Sequence, residues 1–192
     1  MHAFRQHIRP ALGALVVLTL LTGVLYPAIV TAVAQVAFPS QANGSFITVD
    51  GRTVGSSLIG QAFEDPRHLW GRPSAAGAGY DGMASTGSNL GPTSQALVDR
   101  IAAEVDRLRA ANGDAPIPVD LVTASASGLD PHISPEAAEY QVARIAVARG
   151  IGEDEVRAAI ARHTEAPMLA FLGQSTVNVL EVNLDLDGLL AP

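Results

Sequence analysis

No charged side chain lies between Arg9 and Asp50, and the 28 residues 11–38 inside that stretch are almost wholly apolar. A helix rising ~1.5 Å per residue needs about 20 such residues to cross a bilayer. Everything beyond Phe38 is polar and acidic, without a second run of this kind. The expected architecture is therefore one membrane helix and one globular domain. Arg5 and Arg9 precede the run, and the next arginine is Arg52. Positive charge favours the cytoplasmic side, so residues 1–10 are expected inside, 11–38 across the membrane and 39–192 outside it. A cleaved signal peptide has the same charge order, and Ala32-Val33-Ala34 resembles a cleavage site. A signal core is only about 7–15 residues long. Here the run is already 22 residues long at Ala32, which points to a retained anchor. Pro27 is expected to kink or loosen the helix, and Gly13, Gly23 and Ala32 could let a second helix approach closely.

Residues 39–192 carry ten arginines against nineteen aspartates and glutamates, and the whole chain lacks lysine and cysteine. An acidic domain of this size can bury one core and is a poor ligand for nucleic acid. Without disulfides it must hold together by packing or with partner subunits. The absent lysine excludes a phosphate-binding G-x-x-x-x-G-K-[ST] loop, a Schiff base and an S-x-x-K acyl-transfer site. The absent thiol excludes cysteine nucleophiles and thiolate metal sites.

Residues 39–45 read as a linker. Phe46-Ile47-Thr48-Val49, then Asp50-Gly51, then Arg52-Thr53-Val54-Gly55 predict a β-hairpin, its second strand extending through residues 57–61. Residues 62–92 form a loop too long to be a neutral connector. It holds the only tryptophan, Trp70, with Arg67 and Arg72, which suit either an interface or the domain's own core. Leu97, Ile101, Val105 and Leu108 fall on one helical face, closed by Asn112-Gly113. A strand is expected at 119–123. Ser134 and Pro135 begin a helix that buries Ala138, Val142, Ile145 and Ala146 and ends at Gly150. A further helix starts at Glu153-Asp154-Glu155 and ends near His163. Residues 176–184 alternate apolar and polar and predict a last strand. The fold class is α+β, a mixed sheet covered by about three helices.

Asp130, His132 and serines 125, 127 and 134 look like pieces of a hydrolase, but no G-x-S-x-G elbow is present, and turn and cap roles account for them. His132 and His163 show no H-x-x-x-H or H-E-x-x-H spacing, so no metal site is expected. Gly87-Ser88-Asn89-Leu90-Gly91-Pro92-Thr93 reads as a turn leading into a helix rather than a nucleotide cradle.

The chain's longer words carry a resemblance. They are Gly60-Gln61, Trp70-Gly71-Arg72-Pro73-Ser74-Ala75, Tyr80-Asp81, Ser85-Thr86-Gly87-Ser88-Asn89-Leu90-Gly91-Pro92-Thr93 and Ser127-Gly128-Leu129-Asp130-Pro131-His132-Ile133-Ser134-Pro135. Gln141, Arg144, Ala148-Arg149-Gly150, His163 and Val177-Asn178-Val179-Leu180 follow. In this order, after one N-terminal span, they resemble the KdpC family, the C subunit of the bacterial Kdp potassium-transporting P-type ATPase.

The resemblance implies a single-pass subunit of the inner (cell) membrane that works beside a potassium-channel-like subunit, a P-type ATPase subunit and a very small single-span subunit. It implies an accessory chain without a catalytic site, needed for assembly and activity. The family is described as a catalytic chaperone that raises the pump's ATP affinity, an effect linked to a glutamine that by motif is Gln61, with ATP as the associated cofactor. Trp70, Arg72, Asn89, Asp130 and His132 are the residues expected at the partner interface. A membrane-anchored hydrolase using His132 and a serine is the alternative.

Overall fold

The computed structural model describes residues 2–167 and 173–190, with the backbone alone for 2–5. The chain divides into two compact units, Met1–Phe46 and Ile47–Pro192. In the first, helix α1 (His2–Leu20) passes through a π-helical turn, Leu21–Leu25, into α2 (Tyr26–Ala37). Within it Gln6–Ala37 is an apolar helix of 32 residues, long enough to cross a membrane, and the chain buries none of its most apolar part. The helix ends at Ala37, because Phe38 leaves helical geometry (φ −139°, ψ 57°).

Pro27 accounts for the wide turn. Its ring removes the N–H that would bond to Gly23 and crowds that carbonyl. The helix loosens just before it: the Tyr26 N–H donates to the Leu21 carbonyl, five residues back, which is π spacing. Thr22 Oγ1 donates to the Leu18 carbonyl at 2.7 Å. The expected linker at 39–45 is partly helical, with a single turn, α3 (Pro39–Ala42). Asn43 Nδ2 closes it by donating to the Pro39 carbonyl at 2.7 Å and to Gln35 Oε1 at 3.1 Å.

The predicted hairpin forms from β1 (Phe46–Val49) and β2 (Arg52–Ser56). Asp50 and Gly51 both have positive φ, 50° and 75°, as a type I′ turn requires. The second strand stops at Ser56 and does not reach residue 61. Ser56 Oγ accepts the Leu58 N–H at 3.2 Å, and the chain turns back through a bridge to Ile59.

The second unit is α+β, but its sheets are small and the larger is antiparallel, not mixed. Strands β3 (His132–Ile133), β4 (Thr164–Glu165) and β5 (Thr176–Asn178) lie in the order β3-β5-β4, with Ile133 and Thr164 both opposite Val177. Among the described residues five α-helices follow the hairpin, where about three were expected: α4 (Gln95–Asn112), α5 (Pro135–Glu139), α6 (Val142–Arg149), α7 (Glu153–Arg162) and α8 (Val179–Leu186). Leu69, Trp70, Leu108, Leu121, Ile145, Val156, Val177 and Val182 meet in one buried cluster. Burying each large apolar side chain contributes about 1.5–3 kcal/mol.

Two predicted strands are corrected. Residues 119–121 form a 3₁₀ turn, with Thr123 Oγ1 donating to the Val119 carbonyl at 2.8 Å. Only Leu121 of that run is buried, while Val119 is 70% exposed. The strand predicted over 176–184 ends at Asn178, where α8 begins. Asn178 Oδ1 accepts the Glu181 N–H at 3.2 Å and caps the helix. Helix α8 buries Val179, Leu180, Val182, Asn183 and Leu184. A helix covered on several sides shows no apolar stripe, so its sequence passes for a strand. The helix predicted from Ser134 to Gly150 is real but broken between α5 and α6. The Gln141 side chain donates to the Ala137 carbonyl at 3.1 Å, taking an acceptor of the backbone ladder.

Candidate functional site

Three of the residues singled out in the sequence converge. Asp130 precedes β3 and His132 begins it. Arg72 reaches them from the long loop, its Nη1 donating to Asp130 Oδ2 at 2.9 Å. The Arg72 Nε also donates to the Thr123 carbonyl at 3.3 Å. Asp130 Oδ1 accepts the His132 N–H at 3.0 Å and lies 3.7 Å from His132 Nδ1, an ion pair beyond hydrogen-bond length. The three line a cleft of about 500 Å³ with Val119, Asp120, Ser134 and Glu136.

The electrostatics of the pair follow from this geometry. Burial opposes ionisation of Asp130, but the nearby His132 ring, the hydrogen bond from the His132 N–H and the Arg72 guanidinium outweigh it, so the carboxyl sits below its ordinary range. The Asp130 carboxylate raises the His132 pKa above its usual value. Partial burial works against that rise, and Glu165 and Glu181 reinforce it.

The serines do not complete a hydrolytic site. Ser125 Oγ accepts the Gly128 N–H at 2.9 Å and Ser127 Oγ the Leu129 N–H at 3.1 Å. Ser134 Oγ caps α5 by accepting the Ala137 N–H at 3.1 Å. Nucleophilic catalysis needs a base within hydrogen-bond reach of the hydroxyl, and each of these hydroxyls serves a turn or a cap. Among the described residues no group of three or more histidines and carboxylates is placed to hold a metal ion. His163 instead meets Asp185 at 3.0 Å and Glu181 at 3.4 Å.

The other singled-out residues lie elsewhere. Trp70 is buried, 7% exposed, and its Nε1 donates to the Asp65 carbonyl at 3.0 Å. Guanidinium carbons of Arg144 and Arg107 lie 4.0 Å and 4.5 Å from its ring centroid. With Phe63, Tyr80 and Glu104 it lines a second cleft of about 680 Å³. Gln61 donates from Nε2 to the Val54 carbonyl at 2.9 Å and so ties the hairpin to the chain that follows it. Asn89 is exposed in left-handed geometry (φ 51°).

Sequence reasoning assigned no role to the residues that hold the long loop. Gln141 is fully buried. Its Oε1 accepts the Trp70 N–H at 2.9 Å, and its Nε2 donates to the Trp70 carbonyl at 3.1 Å. Asn183 does the same for Leu69, at 2.6 Å and 2.9 Å. Arg144 donates to the Pro66 and His68 carbonyls, to Asn112 Oδ1 and to Gln141 Oε1. Burial, with Arg107 nearby, lowers its pKa to about 10, which still leaves it charged at neutral pH. Gln141 and Arg144 stood among the motif residues. Polar residues three apart inside an otherwise apolar helix were the available signal. Asn183, inside an apparent strand, offered none.

A family model described as "KdpC: K+-transporting ATPase, c chain" matches residues 8–188. The chain is similar to the potassium-transporting ATPase KdpC subunit of Sorangium cellulosum, 62% identical over 95% of this chain and 97% of that protein. It is 58% identical to the protein of that name from Polaromonas naphthalenivorans, over 95% and 94% of the two chains. The one from Herpetosiphon aurantiacus is 53% identical, over 95% and 96%.

Proposed function

Since the chain belongs to the KdpC family, the c chain of a K+-transporting ATPase, we propose that it is a non-catalytic accessory subunit of an ATP-driven potassium uptake complex. Its apolar helix crosses the cell membrane once, and its α+β domain lies on the extracytoplasmic side beside the channel-like and P-type ATPase subunits. The observation that carries this reading is the helix Gln6–Ala37, of whose most apolar part the chain buries nothing. A helix of that kind needs lipid and neighbouring helices to cover it. The arginine bias of the N-terminus supports the orientation. The hydroxyls of Ser125, Ser127 and Ser134 accept hydrogen bonds in turns and a cap, which speaks for this reading over a hydrolase built on His132 and a serine.

Gln61 donates to its own hairpin, so in this reading an influence on ATP affinity travels through subunit contacts and not through a nucleotide held at Gln61. The test is reconstitution. Membranes carrying the other subunits but lacking this chain should show little potassium-stimulated ATP hydrolysis, and adding the full chain should restore it. Full activity without the chain would refute the accessory role.

A further inference from the structure

The π turn leaves one backbone carbonyl without a donor in the middle of the apolar helix. The N–H groups four and five residues beyond Thr22 belong to Tyr26 and Pro27. Tyr26 donates to the Leu21 carbonyl instead, and proline has no N–H. Neither an α-helical nor a π-helical bond therefore reaches the Thr22 carbonyl. Its own hydroxyl does not fill the gap, since Thr22 Oγ1 donates to the Leu18 carbonyl at 2.7 Å.

A second polar group stands one turn on. Tyr26 is 67% exposed, and its hydroxyl has no hydrogen-bond partner among the described residues. Carbonyls point toward the C-terminal end of a helix, and side chains lean toward its N-terminal end. The Thr22 carbonyl and the Tyr26 side chain thus approach one level on one side of the helix.

Depth decides what can satisfy them. Thr22 stands 13 residues from both Arg9 and Gln35, with ~20 Å of helix on either side. That level is beyond the headgroups and their water. Lipid tails offer neither donor nor acceptor, and a carbonyl left bare in hydrocarbon is costly. An uncharged side chain on a neighbouring membrane helix meets the need without bringing a charge to that depth.

Resting on the accessory-subunit reading, we propose that a membrane helix of another subunit of the ATPase docks at the π turn and supplies a hydroxyl or amide donor to the Thr22 carbonyl and an acceptor to the Tyr26 hydroxyl. Pro27 is then a binding determinant, because it removes the N–H that would otherwise occupy the carbonyl.

The experiment labels threonine carbonyl carbons with ¹³C and glycine nitrogens with ¹⁵N in the full chain. Only Thr22-Gly23 and Thr86-Gly87 give paired signals, and Thr86→Ser tells them apart. Solid-state NMR compares the chain alone in lipid nanodiscs with the chain assembled with the remaining subunits. The Thr22 carbonyl should move downfield on assembly. In Pro27→Ala, whose helix closes its own ladder, it should not move. Tyr26→Phe, which keeps the π turn, should weaken assembly by about threefold or more. An unmoved wild-type carbonyl, an equal shift in Pro27→Ala or unchanged assembly of Tyr26→Phe would overturn the docking site. A shift already present in the isolated chain and growing with its concentration would replace the partner helix by a second copy, and so overturn the proposal too. Failure of the wild-type chain to assemble at all would instead sink the accessory-subunit reading.

Discussion

The side-chain amide of Gln141 pairs with the backbone of Trp70 as a neighbouring strand would, accepting its N–H at 2.9 Å and donating to its carbonyl at 3.1 Å. Asn183 pairs with Leu69 in the same way. A long irregular segment therefore enters the core with the peptide groups of Leu69 and Trp70 satisfied, although no strand among the described residues pairs with it.

Gln141→Leu leaves the Trp70 peptide unpaired in a dry interior and removes an acceptor from Arg144. The expected loss is roughly 2–4 kcal/mol, or about 4–16 °C in the melting temperature of a chain this size. Thermal unfolding followed by circular dichroism checks it. Asn183→Leu should lose a similar amount, and a loss below half a kilocalorie in both would remove the clamp from the account.

Arg144→Lys keeps the charge but not the fork that reaches the Pro66 and His68 carbonyls together. Trp70 is the only tryptophan, so its emission reports the site directly. A red shift and faster quenching by iodide are expected, with the same changes, larger, in Arg144→Met.

The Asp130–His132 pair links stability to pH with a definite sign. Asp130 has a lowered pKa, so its contribution is present above its unfolded value near 3.8 and is lost as pH falls through the folded value. His132 has a raised pKa, so its contribution is complete below its unfolded value near 6.5 and is lost as pH rises through the folded value. Urea midpoints measured against pH should show this pair contributing most between those limits. His132→Gln should flatten the alkaline flank, and Asp130→Asn both flanks.

Gly128 sits at φ 67°, where an added Cβ would lie 2.7 Å from both the Ala76 nitrogen and the Thr86 carbonyl oxygen. Gly128→Ala must push these backbones apart, and a cost of about 1–3 kcal/mol is expected from the positive φ alone. Unfolding curves would show it. A neutral result would mean the 72–86 segment yields freely around the turn.

The absence of cysteine makes orientation simple to read. Met83 is 99% exposed, and Met83→Cys supplies one thiol. A membrane-impermeant maleimide should label it in intact cells. Labelling only after the membrane is broken would place the domain in the cytoplasm.

Where one pattern dominated, the sequence was readable. The apolar run, the Asp50-Gly51 turn, the Gly113 and Gly150 helix ends and the Ser134 cap all express local preferences that the fold keeps. The loosening expected at Pro27 is the π turn. The 119–123 and 176–184 runs failed for one reason: short apolar stretches fit either period, and burial decides between them. Asn178 with Glu181 three residues later was a helix-start signal, overshadowed by the alternation around it. The convergence of Arg72 with Asp130 and His132 was not readable, because 58 residues separate the arginine from the aspartate. Nothing local encodes that approach.

The π turn at Leu21–Leu25 has a geometric corollary. One extra residue per turn advances the helix by about 100°, so the two halves do not present a common side. A neighbour packed along α1 meets side chains of a different sequence phase beyond the π turn, so a single straight helix cannot follow one unbroken row of evenly spaced residues along the whole length.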